Sequence, residues 1–251
     1  VVSNATLHNE DEIIRKDIRI NDTVKIERAG DVIPHVILVD LKKRDKKSKK
    51  FVFPNKCPSC GSKTIKEFNK IMKKYDAVRR CTNEGFDCEK IAIEKIKHFI
   101  SKEAMNIDGL GKKVVENFWD MNFIRFPQDI YNLDYNKILN LEGWGDLSVS
   151  NLKYSIDKSK KISLDRFLYA IGIRHIGIEN AKLLAEYTKS IKNFISFVTN
   201  NKLDEFSNID GIGEIQIKSL KNFFYNTINF SVIKKLSSIL NISEFELNKK
   251  G

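Results

Sequence analysis

Residues Asn106–Val115 read NIDGLGKKVV and residues Asn208–Ile217 read NIDGIGEIQI, so a six-residue opening returns 102 positions later with one Leu-to-Ile exchange. Two further stretches belong with them. EGWG occupies Glu142–Gly145 and a degenerate RHIG occupies Arg174–Gly177. The closing glycines fall at 111, 145, 177 and 213, at intervals of 34, 32 and 36 residues. Spacing so nearly constant predicts a fourfold internal repeat of helix, tight turn, helix.

The flanks of these turns carry the helical period. IAIEKIKHFISKEAM places Ile93, Ile96, Ile100 and Ala104 at helical spacing, and LDRFLYAI and AKLLAEYTKSIKNFISFV do the same. In Gly-hydrophobe-Gly the backbone can bend with positive φ, and the middle apolar residue plugs the gap between the helices. The amides after the second glycine open a new helix, where unpaired N–H groups and the helix dipole suit a phosphate oxygen. Contacts of that kind ignore base identity and position a protein on a nucleic-acid backbone. A lone copy would read as an ordinary helix C-cap, whereas four copies beside a cationic module point to nucleic acid. A side chain at the second glycine is expected to block the amides and to strain the turn. Lys112 and Lys113 add charge after Gly111, Asp146 follows Gly145, and His175 replaces a glycine in the third copy. Gly111 and Gly213 are therefore expected to carry more binding than Gly145 and Gly177.

The cationic module is short. The chain of 251 residues has a net charge of +11, of which residues 41–90 hold +10, with 16 Lys and Arg against 6 Asp and Glu. Within it LKKRDKKSKK, Leu41–Lys50, reads as a solvated loop or hairpin tip, either for solubility alone or as part of a polyanion-binding stripe. Before it, DTVKIERAG (22–30) alternates with Val24 and Ile26 on one face, VIPHVILVD (32–40) gives a second strand interrupted by Pro34, and Phe51–Phe53 can supply a third. Three short strands cannot close a barrel, so this module is an open sheet or the remainder of a barrel whose first strands precede Val1.

All four cysteines come next: Cys57 and Cys60 in CPSC, then Cys81 and Cys88 in CTNEGFDC. Two pairs with twenty residues between them suit a tetrahedral sulfur shell around a structural zinc. Four sulfurs leave no open position for catalysis by the metal. Disulfides are disfavoured in a reducing compartment, and a thioredoxin-like redox pair would not need the second pair. His8, His35, His98 and His175 are scattered and read as surface or packing residues.

At 41% apolar the chain can bury a sizeable core. No apolar run reaches membrane-span length and no signal-peptide layout opens the chain, so a cytosolic, reducing context away from membranes is the default expectation. Its start at Val1 suggests a piece of something longer.

SNATLHNEDEIIRKDIRINDTVKIERAGDVIP, FVFPNKCPSCGS with its second cysteine pair, AMNIDGLG, RFLYAIGIRHIG and NIDGIG, in this order, resemble the bacterial-type NAD-dependent DNA ligases over essentially the whole chain. The resemblance implies a multidomain α+β fold: an OB-fold over residues 1–53 lacking its first strands, a four-cysteine zinc finger over 54–90, and an all-α helix-hairpin-helix domain of four repeats over 91–251. It implies a cytoplasmic, nucleoid-associated monomer, a portion that helps encircle nicked double-stranded DNA during replication and repair. Arg28 matches the arginine that the family places in the minor groove near the nick, flanked by Val32 and Ile33. Gly109, Gly111, Gly143, Gly145, Gly177, Gly211 and Gly213 match the hairpin turns; the match is weaker at Lys102, where members often carry Arg, and at Gly143, where some do, a lost guanidinium costing a phosphate contact.

The sequence departs from the family at three points. The K-x-D-G motif of the nucleotidyltransferase domain is missing, the nearest look-alike being KYDA at Lys74–Ala77, so no catalytic residue is assigned. NAD and magnesium are expected to act only through that domain, and this piece alone is expected to be inactive. No BRCT domain follows before Gly251, and six residues rather than five separate Cys81 from Cys88. The competing reading is a stand-alone, non-catalytic DNA-structure binder, resembling junction-binding proteins that also pair an OB-fold with helix-hairpin-helix repeats.

Overall fold

The structure is a computed structural model and describes residues 2–28, 33–69, 72–83 and 85–246. It divides into two compact units, Val1–Thr82 and Asn83–Gly251.

In the first unit the Asn9 side chain accepts a hydrogen bond from the Glu12 amide and caps a short helix α1, Glu10–Arg15. Strands β1 (Val24–Glu27) and β2 (His35–Val39) pair antiparallel, with a register shift between Lys25 and Ile26. Pro34 sits just before β2, where its missing N–H breaks no ladder. The expected third strand at Phe51–Phe53 is not formed: residues 51–53 carry no strand, the Phe51 and Phe53 rings pack edge-on against each other, and Val52 is 84% exposed. Thr6 supplies the further pairing instead, donating to the Pro34 carbonyl and accepting from Val36 beside β2.

The lysine-rich run is not a uniformly solvated loop either. After a 3-10 turn at Leu41–Lys43, the Arg44 side chain turns inward, 11% exposed, and its guanidinium forks onto Asp22 and pairs with Asp17. Arg19 joins by pairing with Asp17 and donating to the Ser48 carbonyl. The remainder of this unit is two small ribbons, β3 (Thr64–Ile65) with β6 (Arg80–Cys81) and β4 (Phe68–Asn69) with β5 (Lys74–Tyr75).

The second unit is helical: α2 (Glu89–Phe99), α3 (Lys112–Asp120), α4 (Tyr135–Leu139), α5 (Asp146–Ser159), α6 (Leu164–Ala170), α7 (Ile178–Thr188), α8 (Ile191–Thr199), α9 (Glu214–Phe224) and α10 (Thr227–Ile239). Ile93 and Ile96 face a continuous core, as the period predicts, and Ile100 and Ala104 stay buried just past the end of α2. The run AKLLAEYTKSIKNFISFV forms two helices, as its helical spacing predicts, with a break where Lys189 adopts φ +63 and the Ser190 side chain caps α8. Strands β7 (Lys161–Ser163) and β8 (Asn241–Ser243) pair in parallel. Phe118, Phe167, Phe194, Phe206 and Phe223 are fully buried and fill the spaces between helices. Among the described residues no helix is long and apolar enough to cross a membrane.

Candidate metal centre and nucleic-acid interface

CPSC forms a tight knuckle. The Gly61 amide donates to the Cys57 carbonyl, the Cys57 amide to Ser62, and Gly61 takes φ +73, a backbone that glycine adopts without strain. Cys81 arrives on β6 opposite Thr64, and Cys88 is the buried N-cap residue of α2. The sulfurs of Cys57, Cys60, Cys81 and Cys88 all lie within 4.8 Å of one another, and those of Cys60 and Cys81 are 3.5 Å apart. None forms a disulfide. A tetrahedral shell with Zn–S bonds of about 2.3 Å places its sulfurs roughly 3.8 Å apart, so the donor set and its spacing fit zinc. Hydrogen bonds from Ser62, with smaller contributions from Cys81 and Cys57, hold the Cys60 thiol at about 6. A thiolate is thereby favoured near neutral pH, the form a metal requires. Sequence reading missed Ser62 because the CxxC signal names only the sulfurs.

Four turns of the helical unit share one backbone pattern. The residue three before each new helix has positive φ: Gly109 (+84), Gly143 (+82), His175 (+62) and Gly211 (+93). The residue just before the helix is extended: Gly111 (φ −70), Gly145 (−118), Gly177 (−82) and Gly213 (−109), each an N-cap. In every case its carbonyl accepts the first intrahelical bond, from Val115, Val149, Ala181 and Ile217 at 2.9–3.1 Å. The middle residues Leu110, Ile176 and Ile212 are buried, and Trp144 packs on the Phe118 ring at 5.6 Å.

The two backbone positions of each turn, filled by glycine in all but the third, where His175 takes the first, therefore serve different ends. A Cβ would be strained at Gly109, Gly143 and Gly211 by backbone conformation alone. At Gly111, Gly145 and Gly177 the backbone suits any L residue and a Cβ would meet nothing within 4 Å; at Gly213 it would meet only Gln216 Oε1, at 3.5 Å. The expectation that a side chain there strains the turn is not met, since φ is negative at all four.

Lys112 and Lys113 are exposed beside Gly111, and Asp146 and Glu214 are exposed after Gly145 and Gly213. The Gly145 amide donates to Ser148 Oγ and the Gly213 amide to Gln216 Oε1. Lys102 is exposed, and its carbonyl accepts from Arg166. Arg166 also donates to Ala104, and the Asp108 amide donates to Ser155 Oγ, so both brace the first turn. Arg166 lies 62 and 64 residues from its acceptors, and no local sequence signal marks it. In the first unit Arg28 and Ile33 are exposed, whereas Val32 lies outside the described residues.

Comparison with known proteins agrees with this geometry. Residues 1–48 match the family described as the NAD-dependent DNA ligase OB-fold domain, and residues 166–233 match the helix-hairpin-helix motif. The chain is 63% identical over its full length to a DNA ligase of Pelagibacter ubique. It is 43% identical over 99% of its length to one of Rickettsia canadensis, and 40% identical over 94% to one of Xanthobacter autotrophicus. It spans only 35–37% of the length of these relatives.

Proposed function

We propose that this chain, whose OB-fold domain is that of the NAD-dependent DNA ligases, is the part of such a ligase that grips nicked duplex DNA. The observation that carries the proposal is the glycine that closes each turn, at 111, 145, 177 and 213. Nothing inside the protein requires its missing side chain, yet each stands at the mouth of a helix whose first-turn amides lack an intrahelical acceptor. An outside partner that approaches the backbone closely accounts for the glycine, and a phosphate oxygen suits the amides and the dipole.

We read the four turns as four helix-hairpin-helix repeats over residues 91–251, each offering one backbone anchor. Lys102 and Lys112 add charge at the first, and Arg28 of the 1–53 OB-fold is assigned to the minor groove with Val32 and Ile33 beside it. The four cysteines of the 54–90 module would hold a structural zinc, which supplies rigidity and no bond-breaking chemistry. Ligation itself, with NAD and magnesium, is assigned to the whole protein and not to any residue in this chain.

Titration of the chain onto nicked duplexes of unrelated sequence tests this. Affinity should be independent of sequence and fall on the order of a thousandfold between about 50 and 200 mM salt. A flat salt response, or protection confined to particular bases, contradicts the proposal.

A further inference from the structure

The loop that ends in Cys88 is held by helix α10. Gly85 lies so close to Asn229 that a Cβ on it would meet the Asn229 side chain at 2.0–2.6 Å. Asn229 is fully buried, and both ends of its amide are used. Oδ1 accepts from the Phe86 amide at 3.2 Å, and Nδ2 donates to the Phe223 carbonyl at 3.1 Å. One turn earlier Asn226 caps α10 with Oδ1, accepting from the Ile228 and Asn229 amides, while its Nδ2 donates to Asp87 Oδ2 at 2.7 Å. The Phe86 ring completes the grip, edge-on to Phe126 at 5.8 Å. Three consecutive residues, Gly85, Phe86 and Asp87, are thus fixed by side chains more than 130 positions away, and the next residue is Cys88.

We propose that Asn229, seconded by Asn226, is a positioning residue for the metal centre: it fixes the loop that presents the Cys88 sulfur. Cys88 is the only one of the four sulfurs that starts a helix, and its side chain makes no capping bond. Its place in the shell depends on where the backbone of 85–87 delivers it. The buried Asn229 amide sets that backbone through one hydrogen bond and through the space it leaves for Gly85. Groups that orient metal ligands from behind commonly change metal affinity by about 10–100-fold when removed. The inference rests on the zinc reading above.

The test is zinc release from the purified full chain to a chromophoric chelator, after metal analysis of the unaltered protein. Wild type should hold zinc and release it slowly. Asn229→Ala should release it roughly tenfold or more faster. Leu236→Ala, a buried truncation on the same helix, gives the effect of merely loosening the helical unit, and should accelerate release far less. Gly85→Ala alone should also speed release, by clashing with Asn229, and adding Asn229→Ala should partly relieve that defect instead of compounding it. A wild-type chain without zinc removes the zinc reading and the inference with it. A zinc-loaded wild type whose Asn229→Ala variant releases metal no faster than Leu236→Ala removes the inference alone. Independent, additive effects of the Gly85 and Asn229 changes also overturn it.

Discussion

Among the described residues of Val1–Thr82 only Ile18 and Val36 are buried apolar side chains, whereas Asn83–Gly251 encloses a continuous core that includes the fully buried Phe99, Phe118, Phe167, Phe194, Phe206 and Phe223. Where the second unit packs apolar side chains, the first sets ion pairs. Besides the Arg44, Asp17, Asp22 and Arg19 cluster, Arg79 forks onto the buried Glu10, which Lys66 also approaches. Ion pairs give little net stability, since desolvation offsets most of the attraction. A unit with so small a core needs another source of cohesion, and a metal is the usual one. The helical unit needs none, and can spend its glycines on turns that face outward.

Metal removal should separate the two regions most widely. Apparent binding energies of structural zinc reach about 10–16 kcal/mol, nearly all of it folding energy in a small site. Protein purified without added zinc should contain about one zinc per chain. Chelation should abolish amide-exchange protection in residues 55–82 while helical circular dichroism persists. Full protection in a metal-free sample would contradict this.

The ion cluster provides a second contrast, in pH. Hydrogen bonds from Arg19 and then Arg44 hold the Asp17 carboxyl at about 2, and Arg44 lowers Asp22 below its ordinary 3.8. A depressed carboxyl contributes stability that is present above its unfolded value and disappears as pH falls through the folded one. Arg44→Met should therefore destabilise the first unit at neutral pH, and the gap from wild type should close between pH 4 and about 2. Denaturant midpoints across that range would reveal it; a gap that is constant with pH would assign the loss to packing of the Arg44 stem.

Within the helical unit the comparison narrows to two glycines of one turn. Gly109→Ala forces a Cβ into left-handed backbone and should lower stability by about 1–2 kcal/mol. Gly111→Ala should change it by less than about 0.5 kcal/mol. His175 shows that this strain is tolerable once, in the third turn. Equal losses from the two substitutions would contradict the division of roles between them.

How much of this was legible follows from range along the chain. The turns were readable because glycines and aliphatics a few residues apart decide them, and the cysteine cluster because CxxC is a local device. The edge pairing of Thr6, the inward turn of Arg44 and the break at Lys189 were not, because each involves a partner 22 to 56 residues away: Thr6 with Pro34 and Val36, Arg44 with Asp17 and Asp22, and Lys189, whose carbonyl accepts from the Phe245 amide. Arg166 and Asn229 reach farther still, and nothing near them in sequence distinguishes them from ordinary surface arginine or helix-start asparagine. The strain expected at the second glycine was wrong for a simpler reason: sequence shows that a glycine is present, but only φ tells whether the backbone or an outside partner requires it.

The most direct test of the central claim is titration of nicked duplex with Gly111→Asp, Gly145→Asp, Gly177→Asp and Gly213→Asp, each checked for unchanged melting. A carboxylate placed where a phosphate docks should weaken binding by roughly 1–3 kcal/mol without loss of stability. The larger effects are expected at Gly111, beside Lys112 and Lys113, and at Gly213, and smaller ones at Gly145 and Gly177. Four variants that melt and bind as wild type does would contradict the claim that these turns hold the DNA backbone.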